Sequence, residues 1–202
     1  MKIATILLGL VALMGVSAIG GPAPISALQA REGSREEFSA VGQMPPIAGS
    51  PMVGPGANAD ITISVDNYSS DEEARTMADA FAKGQHKALR KALAKASVKA
   101  RITFVGRNGF YELKLLRAKK TPNGRQIFGV GEKSIRFLDA YYSGRSHLEE
   151  FGILQLDLTN NNGVEAGSGT LVYKAQIKSL VADSITLDDQ GIEPVRLTVR
   201  KQ

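Results

Sequence analysis

The chain has 202 residues, no cysteine, no tryptophan, two histidines and a formal net charge of +5. Disulfides, thiolate metal sites and a lipid-modified cysteine are therefore excluded, and the fold has to be held by burial alone. Two histidines do not make the usual zinc triad and no His-x-x-x-His occurs, so neither a metal nor a cofactor is expected.

Met1 and Lys2 give a short positive start, and a mostly apolar run follows from Ile3 to Met14. Val16-Ser17-Ala18 then supplies the small-x-small pattern of a signal peptidase site, so residues 1–18 read as a cleavable secretory signal. Ala18-Ile19-Gly20 is a second acceptable cut. The run falls short of the ~20 apolar residues of a membrane span. Gly20-Gly21-Pro22 also ends it early, against the alternative of an uncleaved anchor. The expected location is periplasmic or secreted, with no transmembrane segment after cleavage.

Residues 19–59 are rich in Gly, Pro, Ala and Ser and keep no helical or strand period. They read as a disordered spacer, with at most a transient turn from Arg31 to Glu37. A single α+β domain is expected from Asp60 to the end. Ile61, Ile63 and Val65 alternate with polar residues as in a half-buried strand. Ser70-Asp71-Glu72-Glu73 forms a capping box, and Ala74, Met77, Ala78 and Phe81 make one apolar stripe. Gly84 is read as the end of that helix. A second helix is expected from Gln85 to Ala96, with Leu89, Ala92, Leu93 and Ala96 on one face.

From Val98 the pattern turns to strands. The turns expected between them hold Asn108-Gly109, Pro122-Asn123-Gly124, Asn162-Gly163 and Asp188-Asp189-Gln190-Gly191. Ser134 to Leu138 reads as a short strand, and Ala140 to His147 as a loop carrying Tyr141 and Tyr142. Connections of hairpin length imply antiparallel pairing of about eight strands. The expected architecture is thus α+β: a short N-terminal helical pair packed on a mainly antiparallel sheet, curled toward a barrel.

Several segments taken in order resemble an uncharacterised family of small secreted bacterial proteins. They are Asn67-Tyr68-Ser69-Ser70 with Glu73, Gly124-Arg125-Gln126-Ile127 leading to Ile135 and Phe137, Gly167-Ser168-Gly169-Thr170-Leu171, and Glu193-Pro194-Val195-Arg196-Leu197-Thr198. The resemblance covers Asp60 to the C-terminus and leaves out the spacer. It implies export and a domain boundary, and no activity. Asn160-Asn161-Asn162-Gly163 departs from the pattern, standing where the relatives tend to carry Asp and Lys.

Catalytic signatures are weak. Gly167-Ser168-Gly169 is not a nucleophile elbow, because Ala166 stands where that motif needs glycine. A set built on His147, Asp139 and a serine stays open as a hydrolase reading. His86 reads as a surface residue. Glu149-Glu150 and Asp188-Asp189 are neighbours in sequence, which point to opposite faces of a strand. Gly129-Val130-Gly131 is too short for a dinucleotide fingerprint, and Asp157 to Asn162 lacks the spacing of a calcium loop.

The sharper signal is cationic. Lys83, Lys87, Arg90, Lys91, Lys95, Lys99 and Arg101 follow one another with no acid between them. Lys87, Arg90, Lys91 and Lys95 are the candidate contact residues, with Tyr141 and Tyr142 as an exposed aromatic pair. The expected function is a non-enzymatic exported domain that binds an acidic protein, an anionic polymer or lipid headgroups at the cell envelope. Nucleic acid is disfavoured, since no aromatics interleave the cations for base stacking. The plainer alternative is a solvated helix face partly neutralised by Asp71, Glu72 and Glu73. A second reading is a carrier of an apolar small molecule in a sheet-lined cavity, with Phe104, Tyr111, Phe128 and Phe137 among its candidate lining.

Overall fold

The computed structural model describes residues 35–44, 58–106, 108–135, 150–189 and 193–202. The expected signal peptide, most of the strand expected from Ser134 to Leu138, and the loop with Tyr141, Tyr142 and His147 lie outside these residues. Among the described residues the order is β1 (Glu36–Gln43), β2 (Asn58–Val65), α1 (Asp71–Lys95), β3 (Ala100–Phe104), β4 (Tyr111–Leu113) and β5 (Leu115–Thr121). Then come β6 (Gly124–Val130), β7 (Phe151–Asn161), β8 (Val164–Ala175), β9 (Ile177–Val181), β10 (Ser184–Leu187) and β11 (Val195–Lys201).

Nine of the strands form one antiparallel sheet in the order β4-β3-β2-β1-β11-β8-β7-β6-β5, and β9 pairs with β10 in a separate hairpin. The two edge strands, β4 and β5, are joined only by Lys114, so one bent stretch of chain lies at both ends of the sheet. The Lys114 amide donates to the carbonyl of Val130 in β6 at 2.9 Å. The sheet thereby curls nearly into a barrel. The expectation of an α+β fold with a curled antiparallel sheet holds at this level.

The strands alternate because one face looks inward. Phe38, Ile61, Ile63, Ile102, Leu154 and Leu171 pack with their neighbours into one buried cluster inside the curl. Tight coiling is helped where β8 has no side chains. A Cβ at Gly167 would run into the Asp157 carbonyl, and one at Gly169 would sit 2.5 Å from that of Gln155. The turn from β7 to β8 places Asn162 at φ 53° and Gly163 at φ 87°. Two consecutive positive φ values are the hairpin geometry that Asn-Gly adopts most readily.

Two expectations need correction. Residues Glu36–Gln43, read as part of the spacer 19–59, form β1 in the middle of the sheet, paired to β2 and β11. The folded part therefore begins before Asp60. Phe38 and Ala40 are buried, and a Cβ at Gly42 would stand 2.8 Å from Ile61 Cδ1. The inner face of β1 thus narrows to small residues where its neighbours crowd it, and small residues carry little strand signal.

The second correction concerns the helices. Among the described residues the expected N-terminal pair of separate helices is not seen. One helix, α1, follows two strands, and within it the backbone leaves helical geometry at Gly84 and Gln85. The capping box is formed, with the Glu73 amide donating to Ser70 Oγ at 3.1 Å and the Ser70 amide to Glu73 Oε2 at 2.8 Å. Ala74, Met77, Phe81, Leu89 and Leu93 pack on the outer face of the sheet against Leu115, Phe128, Val130, Phe151 and Ile153, and on Ile177 of β9. That part of the sheet is covered on both faces, which explains unbroken apolar runs such as Phe151 to Leu154. Truncating Leu93 to alanine there would cost about 2–5 kcal/mol.

Candidate functional site

Helix α1 carries most of the predicted contact residues, and packing sorts them. Leu89 and Leu93 are fully buried, so the opposite side of the helix faces solvent. Lys87, Lys91 and Lys95, spaced four apart, are exposed on that side, and Lys83 is exposed before the break at Gly84. With a rise of ~1.5 Å per residue, successive lysines stand ~6 Å apart along the axis. None of these four forms an ion pair with a described residue.

Arg90 does not belong to this exposed row. Its Nη2 donates to the Glu150 carbonyl at 3.0 Å, and its guanidinium lies 5.3 Å from the centre of the Phe151 ring. It docks the second half of the helix on the start of β7. Lys99 is buried, with Nζ 2.7 Å from Glu73 Oε1. Arg101 pairs with Asp66 at 2.7 Å and covers the Phe110 ring. Tyr141 and Tyr142 lie outside the described residues, as do Asp139 and His147.

Two of the three acids expected to neutralise the lysines, Asp71 and Glu73, are used elsewhere, while Glu72 stays exposed in the first turn of the helix. Glu73 serves Lys99 and the capping box. Burial pushes its pKa up, but the hydrogen bonds from Lys99 and the Ser70 amide outweigh this and hold it below the ordinary carboxylate value. Asp71 accepts from Arg117 Nη2 at 2.7 Å, and Asp183 accepts from the same nitrogen at 2.6 Å. Arg117 also donates to the Ser69 carbonyl, tying β5, the helix start and the β9–β10 turn together. Burial works against its charge, and the two carboxylates more than offset it, raising its pKa.

His86 is half-buried rather than on the surface. Its Nε2 lies 2.9 Å from the Ile177 carbonyl and 3.2 Å from the Ile177 amide, and its ring sits between Phe81 and Phe151. It locks the helix break to β9. Ser168 points outward from β8 opposite Asp157, and no hydrogen bond joins it to a described histidine. Among the described residues, no group of three His, Asp or Glu side chains is placed to hold a metal ion. No helix among them is long and apolar enough to cross a membrane.

Two further features were not read from the sequence. Arg125, Glu36, Tyr68, Glu165 and Lys201 converge at one end of the curled sheet. Arg125 donates to Glu165 at 2.6 Å and to the Tyr68 hydroxyl at 3.0 Å, Tyr68 donates to Glu36 at 2.6 Å, and Lys201 donates to Glu36 at 2.8 Å. These residues come from four strands and a loop, and their only sequence signal is a charge at an inward position near each strand end. The other feature is a groove of about 350 Å³ on the outer face of β5 to β8, walled by the β9–β10 turn.

No family model matches the chain. No curated protein and no solved structure is significantly similar to it.

Proposed function

We propose that this protein is an exported, non-enzymatic binding module that holds an anionic surface at the cell envelope through Lys87, Lys91 and Lys95. The observation that carries this reading is the fate of the neighbouring acids. Glu73 and Asp71 are engaged by Lys99 and Arg117, so the exposed lysines keep their charge uncompensated by described residues. The residues exposed beside them include Ala94 and no large apolar side chain, which favours lying on a charged surface over inserting into it. Export is supported by the Met1-Lys2 start, the apolar run and the small residues at 16–18.

The carrier reading is less well supported, because the inner face of the curled sheet is filled by its own packed side chains. A barrel of about eight strands has room either for such a core or for one small ligand.

The test is flotation of the purified protein with vesicles of phosphatidylglycerol and with vesicles of phosphatidylcholine. Binding is expected only to the anionic vesicles and should weaken steeply with salt. The K87Q/K91Q/K95Q variant should bind at least tenfold more weakly, given about 1 kcal/mol per basic residue near such a surface. Its stability should stay within ~0.5 kcal/mol of the parent. Undiminished, salt-sensitive binding by that variant would refute the reading.

A further inference from the structure

The geometry points to a second binding site, separate from the lysine row: we infer that the groove on the outer face of β5 to β8 takes a neutral saccharide. Its floor is a grid fixed by strand register. One row runs Lys119, Gln126, Asp157 and Ser168 across four strands, and the next runs Phe128, Gln155 and Thr170. Neighbouring strands lie ~4.8 Å apart, so the longer row extends over ~14 Å. The turn from β9 to β10 adds Asp183, Ser184 and Ile185 along one side.

The chemistry of this lining excludes the other ligand classes in turn. The lining sets Lys119 against Asp157 and Asp183, and Arg117 from outside the lining already holds Asp183. An anion would face two carboxylates, and a cation would face Lys119. An apolar molecule would strip water from amides and hydroxyls without replacing their hydrogen bonds. A peptide strand would add at a free sheet edge, whereas the groove lies over the face of the sheet, where β6, β7 and β8 are paired on both sides. What remains is a polar, uncharged molecule rich in hydroxyls.

The donors and acceptors for such a molecule are in place. Gln155, Ser168, Thr170 and Ser184 have no side-chain hydrogen bond to a described residue. Asp157 is held by Gln126 Nε2 at 2.7 Å through one oxygen, leaving the other to accept. Ile185, beside the small part of Phe128 left uncovered, supplies an apolar patch for the C–H face of a sugar ring.

The experiment is binding of the full chain to an array carrying neutral and anionic oligosaccharides. Two variants accompany the parent: Ser168→Tyr, which fills the groove, and Q155A/T170A, which removes hydrogen bonds without filling it. All three substituted side chains stand on the outer face, and an unchanged unfolding midpoint verifies the fold. Retention of neutral oligosaccharides, weakened at least tenfold in both variants and unaltered in K87Q/K91Q/K95Q, is the expected result. Three outcomes would overturn the inference. These are no retention of any neutral oligosaccharide, equal retention by the groove variants, or retention of sulfated and phosphorylated glycans alone with loss in the lysine variant. The last would assign all binding to the helix.

Discussion

Glu36 shows how a single carboxylate responds when several strands converge on it. Burial raises its pKa, but hydrogen bonds from Lys201, Tyr68 and Arg125 outweigh that and leave it below the ordinary value. A depressed pKa in the folded state gives stability that is present above the unfolded value and lost as pH falls through the folded one. The unfolding midpoint in urea is therefore expected to drop as pH is lowered from neutral through the carboxylate range. The drop should be smaller in Glu36→Gln, measured over the same series. An unchanged pH dependence in that variant would show that the Arg125 network is not linked to Glu36 ionisation. At this scale the sequence was only partly legible. It located the cations of the helix, yet it could not separate exposed Lys91 from Arg90 or Lys99. Which of them turns inward depends on Glu150, Phe151 and Glu73, and those partners are brought close only by the fold.

The break in α1 is the element that most directly invites a test. Gln85 has φ 50° and ψ −146°, a conformation glycine adopts far more readily than a residue with a side chain. Gln85→Gly is expected to raise stability by about 1 kcal/mol, seen as a higher urea midpoint with an unchanged slope. The neighbouring Gly84→Ala should destabilise, since its Cβ would lie 2.7 Å from that of Ala88. Elements with strong local chemistry could be read from the sequence. The capping box at Ser70, the Asn-Gly turn after β7 and the period of β2 all appear where their residues call for them. Gly84 likewise marked a change in the helix, although the chain runs on across it as one element. Strand β1 was hidden because its inner positions shrink from Phe38 through Ala40 to Gly42, inside a stretch whose composition resembles a linker.

For the whole molecule, the sheet order was the part least accessible to sequence reasoning. Hairpin turns predict neighbours such as β5 with β6 and β7 with β8, and these pairs form. Nothing local predicts that β1 bridges β2 and β11, because that register joins residues from opposite ends of the described chain. A chain beginning at Asp60 would keep the predicted domain and lose this bridging strand. It is expected to show no cooperative unfolding transition in urea, with β2 and β11 left as unpaired edges. A cooperative transition near that of the full chain would mean that β1 contributes little.

The pairing of Phe38 with Lys201 also has a consequence in time. This pairing joins the first described strand to the last, so the loop between them closes only after β11 has been made. Contacts of such long range slow folding into the millisecond-to-second regime. A growing chain that has β1 to β10 lacks the partner that β11 supplies to β1 and β8, and the sheet stays open there until β11 is made. The topology thus builds in an interval during which any partner would meet an open sheet rather than a closed one.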